Sequence, residues 1–277
     1  MNRIPDAGRV AAAFHQKATE YDHHILVQKR VVTNLAASID IHPGQSPERI
    51  LDVGTGTGAL LEKLHLLYPD AGLTGVDIAL NMCLCSQQKL GAICQSVNGD
   101  AEHLPFRAGV FDLVVSASAL QWVGSLSAAL HEMRRVVRPG GDICFAFFCN
   151  GTLDELHHCF RDVTGKSVAG GAQSSRLHAF RTVEEVRSIV REMDFERCVV
   201  TVETEVDWYA DLHSLLRSIK SIGAGTVSGG SVSGLGWRGV LQETSRLYQE
   251  RYGQDGLIPA TYKVLYLSAR AGLRPSV

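Results

Sequence analysis

Long hydrophobic runs are missing from this chain of 277 residues. No stretch approaches the roughly 20 apolar residues that a helix needs to cross a bilayer. Residues 1–10 also lack the charged-then-apolar order of a secretory signal. The sequence therefore predicts a cytoplasmic protein with no membrane partner.

An excess of either charge is missing too, since 27 Lys and Arg stand against 29 Asp and Glu. Proteins that bind nucleic acids commonly concentrate basic residues, which neutralise phosphates. Bulk charge therefore gives no support for a nucleic-acid partner.

Metal-ligand and disulfide patterns are scarce. The cysteines number seven, an odd count, and no Cys-x-x-Cys pair occurs. The pairs His23-His24 and His157-His158 lack a His-Glu-x-x-His frame. We expect the cysteines to be small buried hydrophobic residues rather than ligands or disulfide partners, and we expect no metal.

The chain does have a regular alternation of short apolar runs and helix-compatible segments. This alternation predicts an α/β fold with a mostly parallel sheet covered by helices on both faces. A length of 277 residues suits one large domain. Strands are predicted near residues 48–54, 73–77, 93–98, 111–118, 141–148, 195–207 and 262–269.

Residues 50–58, Ile-Leu-Asp-Val-Gly-Thr-Gly-Thr-Gly, form an apolar run that breaks into a glycine-rich turn. Such a turn opens a nucleotide-sized site at the carboxyl end of a first strand. Gly54, Gly56 and Gly58 lack a Cβ, so the backbone can come close to a ligand. The turn alone also fits a nicotinamide dinucleotide site, and Asp77, a carboxylate suited to a ribose, fits either ligand.

The segments that follow separate the two interpretations. Residues 97–106 read Val-Asn-Gly-Asp-Ala-Glu-His-Leu-Pro-Phe, residues 111–116 read Phe-Asp-Leu-Val-Val-Ser, and residues 138–141 read Arg-Pro-Gly-Gly. In this order they resemble the class I methyltransferases. The resemblance implies a Rossmann-like, seven-stranded, mostly parallel sheet with a reversed last strand, and S-adenosylmethionine as the methyl donor. It also implies that Asp77 binds the ribose and that Asp100 binds the adenine amino group.

The full set of residues predicted to bind the cofactor is Tyr21, Gln28, Asp52, Gly54, Gly56, Gly58, Asp77, Ile78, Met82, Asp100, Ala101, Glu102 and Ser116.

Three mostly helix-compatible regions exceed the minimal sheet: residues 1–45, 150–180 and 208–255. We expect them to form a helical lid over the cleft, within a single domain spanning residues 1–277. Residues 46–149 would be the cofactor-binding half, and residues 181–207 and 256–270 would complete the sheet. Residues 221–236 are too rich in Gly and Ser for regular structure. They are either a mobile lid edge or a surface linker.

The lid segments carry a narrower resemblance, to the malonyl-acyl carrier protein O-methyltransferases of biotin synthesis. The segments that carry it are Phe14-His-Gln-Lys-Ala18, Leu120-Gln-Trp122, Gly151-Thr-Leu-Asp-Glu-Leu-His157 and Arg217-Ser-Ile-Lys-Ser-Ile-Gly-Ala224. The resemblance spans about residues 10–269 and departs at a lengthened Gly/Ser stretch, residues 225–236. It implies methyl transfer to the free carboxylate of a malonyl thioester, presented on acyl carrier protein or on coenzyme A.

A malonyl carboxylate needs a cationic clamp, for which Arg has the best geometry. Arg217 and Lys220 lie three residues apart in a family-like segment, and Arg176 is a weaker candidate. The alternative for each is a solvated surface charge. No general base is predicted, because the carboxylate is already ionised at pH 7.

Three further residues are predicted on the substrate side, namely Tyr21, Gln121 and Trp122. For Tyr21 and Trp122 the alternative is ordinary core packing.

Two other functions stay open on sequence grounds. A methyltransferase for a quinone or an amine would share the cofactor motifs but would not need a carboxylate clamp. A non-catalytic module that binds the cofactor, or a nicotinamide dinucleotide, would have little use for three insertions over one cleft.

Overall fold

The computed structural model describes residues 7–17, 26–39, 46–167, 179–221 and 235–273. Its α-helices are α1 (Ala7–Lys17), α2 (Leu26–Ser38), α3 (Ala59–Leu67), α4 (Leu80–Leu90), α5 (Leu126–Val136), α6 (Asp154–Ser167), α7 (Val183–Arg191), α8 (Leu212–Ser221) and α9 (Leu235–Tyr252). Its strands are β1 (Arg49–Val53), β2 (Gly72–Asp77), β3 (Cys94–Asn98), β4 (Phe111–Ala117), β5 (Val137–Phe148), β6 (Phe195–Tyr209) and β7 (Ile258–Ala271).

The strands form one seven-stranded sheet in the order β3-β2-β1-β4-β5-β7-β6. The pairs from β3 to β5 are parallel, whereas β7 is antiparallel to both β5 and β6. The predicted sheet with a reversed last strand is therefore confirmed. The strand order turns back between β1 and β4, and such a switch point leaves a crevice outside the carboxyl ends of the two strands.

Two strands begin earlier than their apolar runs. β5 begins at Val137, not at 141, because Phe111 pairs with Val137 before a register shift that next pairs Leu113 with Asp142. β7 begins at Ile258, not at 262, because it stays paired with β6 to the end of that strand. Partner pairing, which hydropathy does not report, sets these ends.

Two hydrophobic layers enclose the sheet. On one face β1, β4 and β7 pack against the helices of the chain start and of the later regions, with Val31, Leu64 and Tyr248 fully buried. On the other face α5 and α7 contribute Met133 and Val186. In α5 the buried residues recur at helical spacing, which is why this segment forms an amphipathic helix.

Most of the described residues in the three surplus regions are helical, in α1, α2, α6, α8 and α9, whereas residues 208–209 belong to β6, which is two residues longer than predicted. The predicted irregular stretch 221–236 is wrong at its ends, since α8 includes Ser221 and α9 begins at Leu235. Its middle, residues 222–234, lies outside the described residues. Within the described segments, no helix is both long enough and apolar enough to span a membrane.

Candidate functional site

The glycine-rich turn begins where β1 ends, and Gly54 is the residue that its geometry demands. Gly54 has φ +73°, and a Cβ added there would lie 2.2 Å from the Cβ of Ala119. The amides of Gly54 and Thr55 both donate to the carbonyl oxygen of Val76, at 2.7 and 3.0 Å. A left-handed backbone against a neighbouring loop leaves room only for glycine.

Asp77, at the end of β2, fastens this turn. Its Oδ2 accepts a hydrogen bond from the amide of Gly56 at 2.9 Å, and its Oδ1 accepts one from the amide of Ala79 at 2.8 Å. Burial raises the pKa of Asp77, and these two amides oppose the rise. The carboxylate therefore organises the site as well as facing it.

Asp52 is a second buried carboxyl group, one strand away on β1. It is 1% exposed, and its Oδ1 has no hydrogen-bond partner within the described part of the chain. Burial raises the pKa of Asp52 to about 7, and the nearby Asp77 carboxylate adds to the rise. A buried acid with an unsatisfied oxygen is poised to accept a cation or a donor group.

A loop after β3 brings two more acids to the same place. The Oδ1 of Asp100 accepts from the amide of Glu102 at 2.9 Å. The Oε1 of Glu102 accepts from the amide of Gly124 at 2.7 Å, which joins this loop to the one after β4.

Glu132 and Arg135 of α5 hold the next part of the loop. The amide of Leu104 donates to Glu132 Oε2 at 2.7 Å. Arg135 donates to the carbonyl oxygens of Phe106 and Leu104 at 2.8 and 3.0 Å, and to Glu132. The pKa of Glu132 is lowered, chiefly by its hydrogen bond from Arg135. Glu132 and Arg135 of α5 therefore hold in place the loop that carries Asp100.

One cavity lies at the switch point between β1 and β4. Of the residues predicted to bind cofactor or substrate, those that line it are Gln28, Asp52, Gly54, Gly56, Asp77, Ile78, Met82, Asp100, Ala101, Glu102 and Trp122.

Three predicted residues lie beside the cavity instead of lining it. The hydroxyl of Ser116 is buried and donates to the carbonyl oxygen of Val53 at 2.7 Å. A Cβ on Gly58 would meet Ser86 and Leu90, so this glycine lets α3 approach α4. Gln121 is buried and donates to the carbonyl oxygen of Ser118 at 2.7 Å. All three support the walls of the cavity.

The predicted substrate clamp is not part of this cavity. Arg217 and Lys220 are both exposed on α8, and neither lines it. The opposite side of α8 is anchored by Leu212 and Leu215, which are buried. Tyr21 and Arg176 lie outside the described residues.

Two cavity-lining features were missed from the sequence. Val10 and Phe14 of α1 line the cavity, and the ring of Phe14 lies 6.0 Å from that of Trp122 in an edge-to-face arrangement. Ser118 also lines it, with φ +55° and a hydroxyl that has no partner among the described residues. A left-handed backbone conformation is rare for serine, and residues in such conformations are enriched at functional sites. The sequence signal was a second serine two residues after Ser116, just beyond the strand.

The charge of the cavity is one-sided. Asp52, Asp77, Asp100 and Glu102 all line it, and none of the described lining residues is Lys, Arg or His. Such a lining favours a cationic ligand and opposes the pyrophosphate of a dinucleotide. No group of three His, Cys, Asp or Glu residues suited to a metal occurs in the described segments.

Solved structures support the fold. The YcgJ protein of Bacillus subtilis superposes with a TM-score of 0.58 at 15% identity, over 88% of this chain and 98% of that protein. Likeness at this identity concerns the fold alone.

Sequence comparison identifies the family. A methyltransferase domain family matches residues 51–145. The malonyl-acyl carrier protein O-methyltransferase of Geobacter sulfurreducens is 42% identical over 94% of this chain and 97% of its own length. The enzyme of the same description from Laribacter hongkongensis is 32% identical over 98% of this chain and 91% of its own length. The chain is therefore an S-adenosylmethionine-dependent methyltransferase and belongs to the family of malonyl-acyl carrier protein O-methyltransferases.

Proposed function

We propose that this chain transfers a methyl group from S-adenosylmethionine to the free carboxylate of a malonyl thioester, in early biotin synthesis. The thioester is presented on acyl carrier protein or on coenzyme A. The observation that carries the proposal is the 42% identity, over almost the whole of both chains, to a relative described by this activity. The acid-lined cavity supports it independently on the donor side.

The residues of the cavity fit the methyl donor. At neutral pH S-adenosylmethionine carries a sulfonium and an ammonium group, and both are cations that suit a lining of four carboxyl groups. Asp77 would hold the ribose and Asp100 the adenine amino group. Asp52, whose Oδ1 has no partner among the described residues, has an acceptor to offer at the amino-acid end.

The bound donor supplies an electrophilic methyl carbon. A carboxylate with an ordinary pKa of about 4 is already ionised at pH 7. The protein therefore has only to position the carboxylate and to exclude water from it. No proton has to be removed by the protein. The described residues that line the cavity include no histidine or lysine, which is consistent with a reaction that needs no general base.

Phe14 and Trp122 are the residues we assign to water exclusion. α1 is docked on α4 through Asn81, whose side-chain amide donates to the carbonyl oxygen of His15 at 3.0 Å. The ring of Phe14 thereby reaches Trp122 across the cavity. An aromatic wall built from an N-terminal helix would shield the reacting oxygen from bulk water.

On the substrate side we retain Arg217, Lys220 and Arg176 as candidates for the carboxylate clamp. Both members of α8 are exposed and free of the cofactor cavity, so they are available to a second ligand. Gln121 would act by holding the Ser118 carbonyl group in its strained turn. Tyr21 is proposed for the cavity roof.

The test is mass spectrometry of malonyl-acyl carrier protein after incubation with the purified chain and S-adenosylmethionine. We expect one added methyl group, no addition to the matched acetyl-carrier protein, which lacks the free carboxylate, and an unchanged rate in EDTA. Running malonyl-coenzyme A in parallel identifies the carrier by its kcat/KM. An unmodified malonyl substrate on both carriers, with the cofactor bound, would contradict the proposed function.

A further inference from the structure

Helix α2 contacts the cavity with one flank and strand β6 with the other. Its sheet-facing residues are Val27, Val31 and Leu35, which recur at helical spacing and are all buried. Gln28 and Val32 line the cavity. α2 therefore builds part of the cavity wall while its core stripe packs on the sheet.

Arg30 projects from the opposite flank of α2. Successive residues of an α-helix are about 100° apart, so Gln28 and Arg30 lie on either side of the buried stripe that begins at Val27. The Nε atom of Arg30 donates to Glu205 at 2.8 Å, and its Nη2 atom donates to Asp207 at 2.6 Å. One guanidinium group thereby joins α2 to β6 at two points.

The two carboxylates lie on the face of the sheet against which α2 packs. Glu205 and Asp207 are two residues apart on one strand, so their side chains point to the same face. Tyr262, the partner of Glu205 in register on β7, belongs to the same buried cluster as Val31. The side chains of Arg30, Glu205 and Asp207 are 39%, 20% and 15% exposed. These ion pairs are therefore partly buried, and salt screens such pairs less than it screens exposed ones.

We propose that Arg30 is a positioning residue for the methyl donor. By binding Glu205 and Asp207, Arg30 fixes the rotation of α2 about its own axis. Gln28 is thereby held at the angle from which its side chain reaches the donor. The inference rests on the donor half of the proposed function, the placement of S-adenosylmethionine in this cavity, and is independent of the acceptor.

The ion pairs restrain α2 differently from its apolar packing. Contacts between apolar side chains such as Val27 and Leu35 are non-directional. A planar guanidinium group that donates two charge-assisted hydrogen bonds has a defined direction, so it adds an angular restraint. Because a hydrogen bond from Gln28 to a ligand depends on both distance and angle, a small roll of α2 would weaken it.

A double-mutant cycle tests the route from Arg30 to the donor. R30M removes the cation and keeps an unbranched side chain of good helix propensity, and Q28A removes the group through which Arg30 is proposed to act. We expect calorimetric titration with S-adenosylmethionine to show a Kd raised roughly two- to tenfold in each single variant, the factor for one hydrogen bond. The double variant should bind no more weakly than Q28A, because the two residues act on one contact. K29M makes the same chemical change at the exposed neighbouring residue and should bind normally.

A triple variant separates positioning from stability. R30M leaves Glu205 and Asp207 without the cation that binds both, so its Tm should fall as well. Adding E205Q and D207N removes the repulsion between the two carboxylates. We expect the triple variant to regain most of the lost Tm and to keep the weaker donor affinity of R30M, because the link between α2 and β6 is still missing.

Three results would overturn the proposal. The first is a wild-type donor affinity in R30M. The second is an effect of R30M that persists in full in the Q28A background, since Arg30 would then act through another contact. The third is a triple variant in which both Tm and donor affinity return to their wild-type values, which would make the ion pairs purely structural. Because only the donor is titrated, a malonyl thioester that fails to react would contradict the proposed acceptor alone.

Discussion

The Oδ2 atom of Asp77 accepts a hydrogen bond from the amide of Gly56 at 2.9 Å, so the end of β2 holds the turn that leaves β1. The other oxygen of the same carboxylate is held by Ala79. One side chain therefore shapes the glycine-rich turn and faces the cavity.

Replacing Asp77 should separate these two roles. D77A removes the carboxylate oxygen that accepts from the Gly56 amide, and it removes the proposed contact with the ribose. We expect the binding free energy of the cofactor to weaken by about 1.5–3 kcal/mol, the range for hydrogen bonds to a charged group. D77N keeps one acceptor and should lose less. Calorimetric titration measures the affinities, and thermal unfolding reports the turn. An unchanged cofactor affinity in D77A would show that Asp77 does not bind the ribose.

Asp52 should make the unliganded protein sensitive to pH. Its pKa is raised from 3.8 to about 7, so the folded state binds its proton more tightly than the unfolded state. The stability it contributes is complete below about pH 4 and is lost as the pH rises through about 7. Urea unfolding at several pH values should show a flatter profile for D52N over this window.

The same carboxyl group should link cofactor binding to proton release. A cationic ligand beside Asp52 favours the ionised form of this carboxyl group. With a pKa of about 7, the ionised fraction of Asp52 falls roughly tenfold from pH 8 to pH 6, and cofactor affinity should weaken by the same factor. Calorimetry in buffers of different ionisation enthalpy would detect the released proton. D52N should bind more weakly and with no such dependence. A wild-type affinity that is flat from pH 6 to 8 would contradict the assignment.

Arg135 should act on the cofactor through the loop that it holds. R135A removes the donors to the carbonyl groups of Leu104 and Phe106, and we expect the KM for the methyl donor to rise several-fold while kcat at saturation changes little. R138A is the matched control, because Arg138 pairs with Asp112 and not with this loop. Equal effects of the two variants would indicate general destabilisation.

Arg217 and Lys220 should affect the acceptor and not the donor. If either clamps the malonyl carboxylate, R217Q or K220Q should lower kcat/KM for the acyl substrate roughly tenfold, with cofactor affinity unchanged. R187Q, an exposed arginine change on α7, serves as the control. Full activity in the double variant would direct the search to Arg176.

Phe14 should be needed to close the cavity. F14A removes an aromatic contact with Trp122 that is worth about 0.5–1.5 kcal/mol, so donor affinity should fall roughly two- to tenfold. A12S, on the exposed side of α1, should bind normally. Deleting residues 1–17 should abolish transfer while the sheet still folds, as circular dichroism would show. Methyl transfer by the truncated enzyme would show that α1 is not needed to close the cavity.

The cofactor half of the molecule could be predicted because its signals are local. The turn and Asp77 follow directly from the strands that carry them, so neighbouring residues in sequence fix their positions. Ser116 illustrates the limit of such reasoning: it and Ser118 are both serines near one strand end, but only the second lies past the last paired residue and lines the cavity.

The substrate side could not be predicted in the same way. The prediction for Arg217 rests on its segment alone, whereas its position relative to the cavity depends on how α8 packs against the long strand β6. Phe14 reaches the cavity through tertiary contacts between α1 and α4 that no local pattern reports. The ends of β5 and β7 depend on partner strands for the same reason.

The position of β7 makes the order of synthesis matter. β7 leaves the ribosome after both β5 and β6, and it lies between them in the sheet. Until it emerges, β6 cannot join the sheet, and the apolar edge of β5, including Phe145 and Phe147, has no neighbour to pair with. Nascent chains that stall before Ile258 would therefore expose an unpaired β6 and one unpaired edge of β5, and such exposed strands make intermediates prone to aggregate or to recruit chaperones.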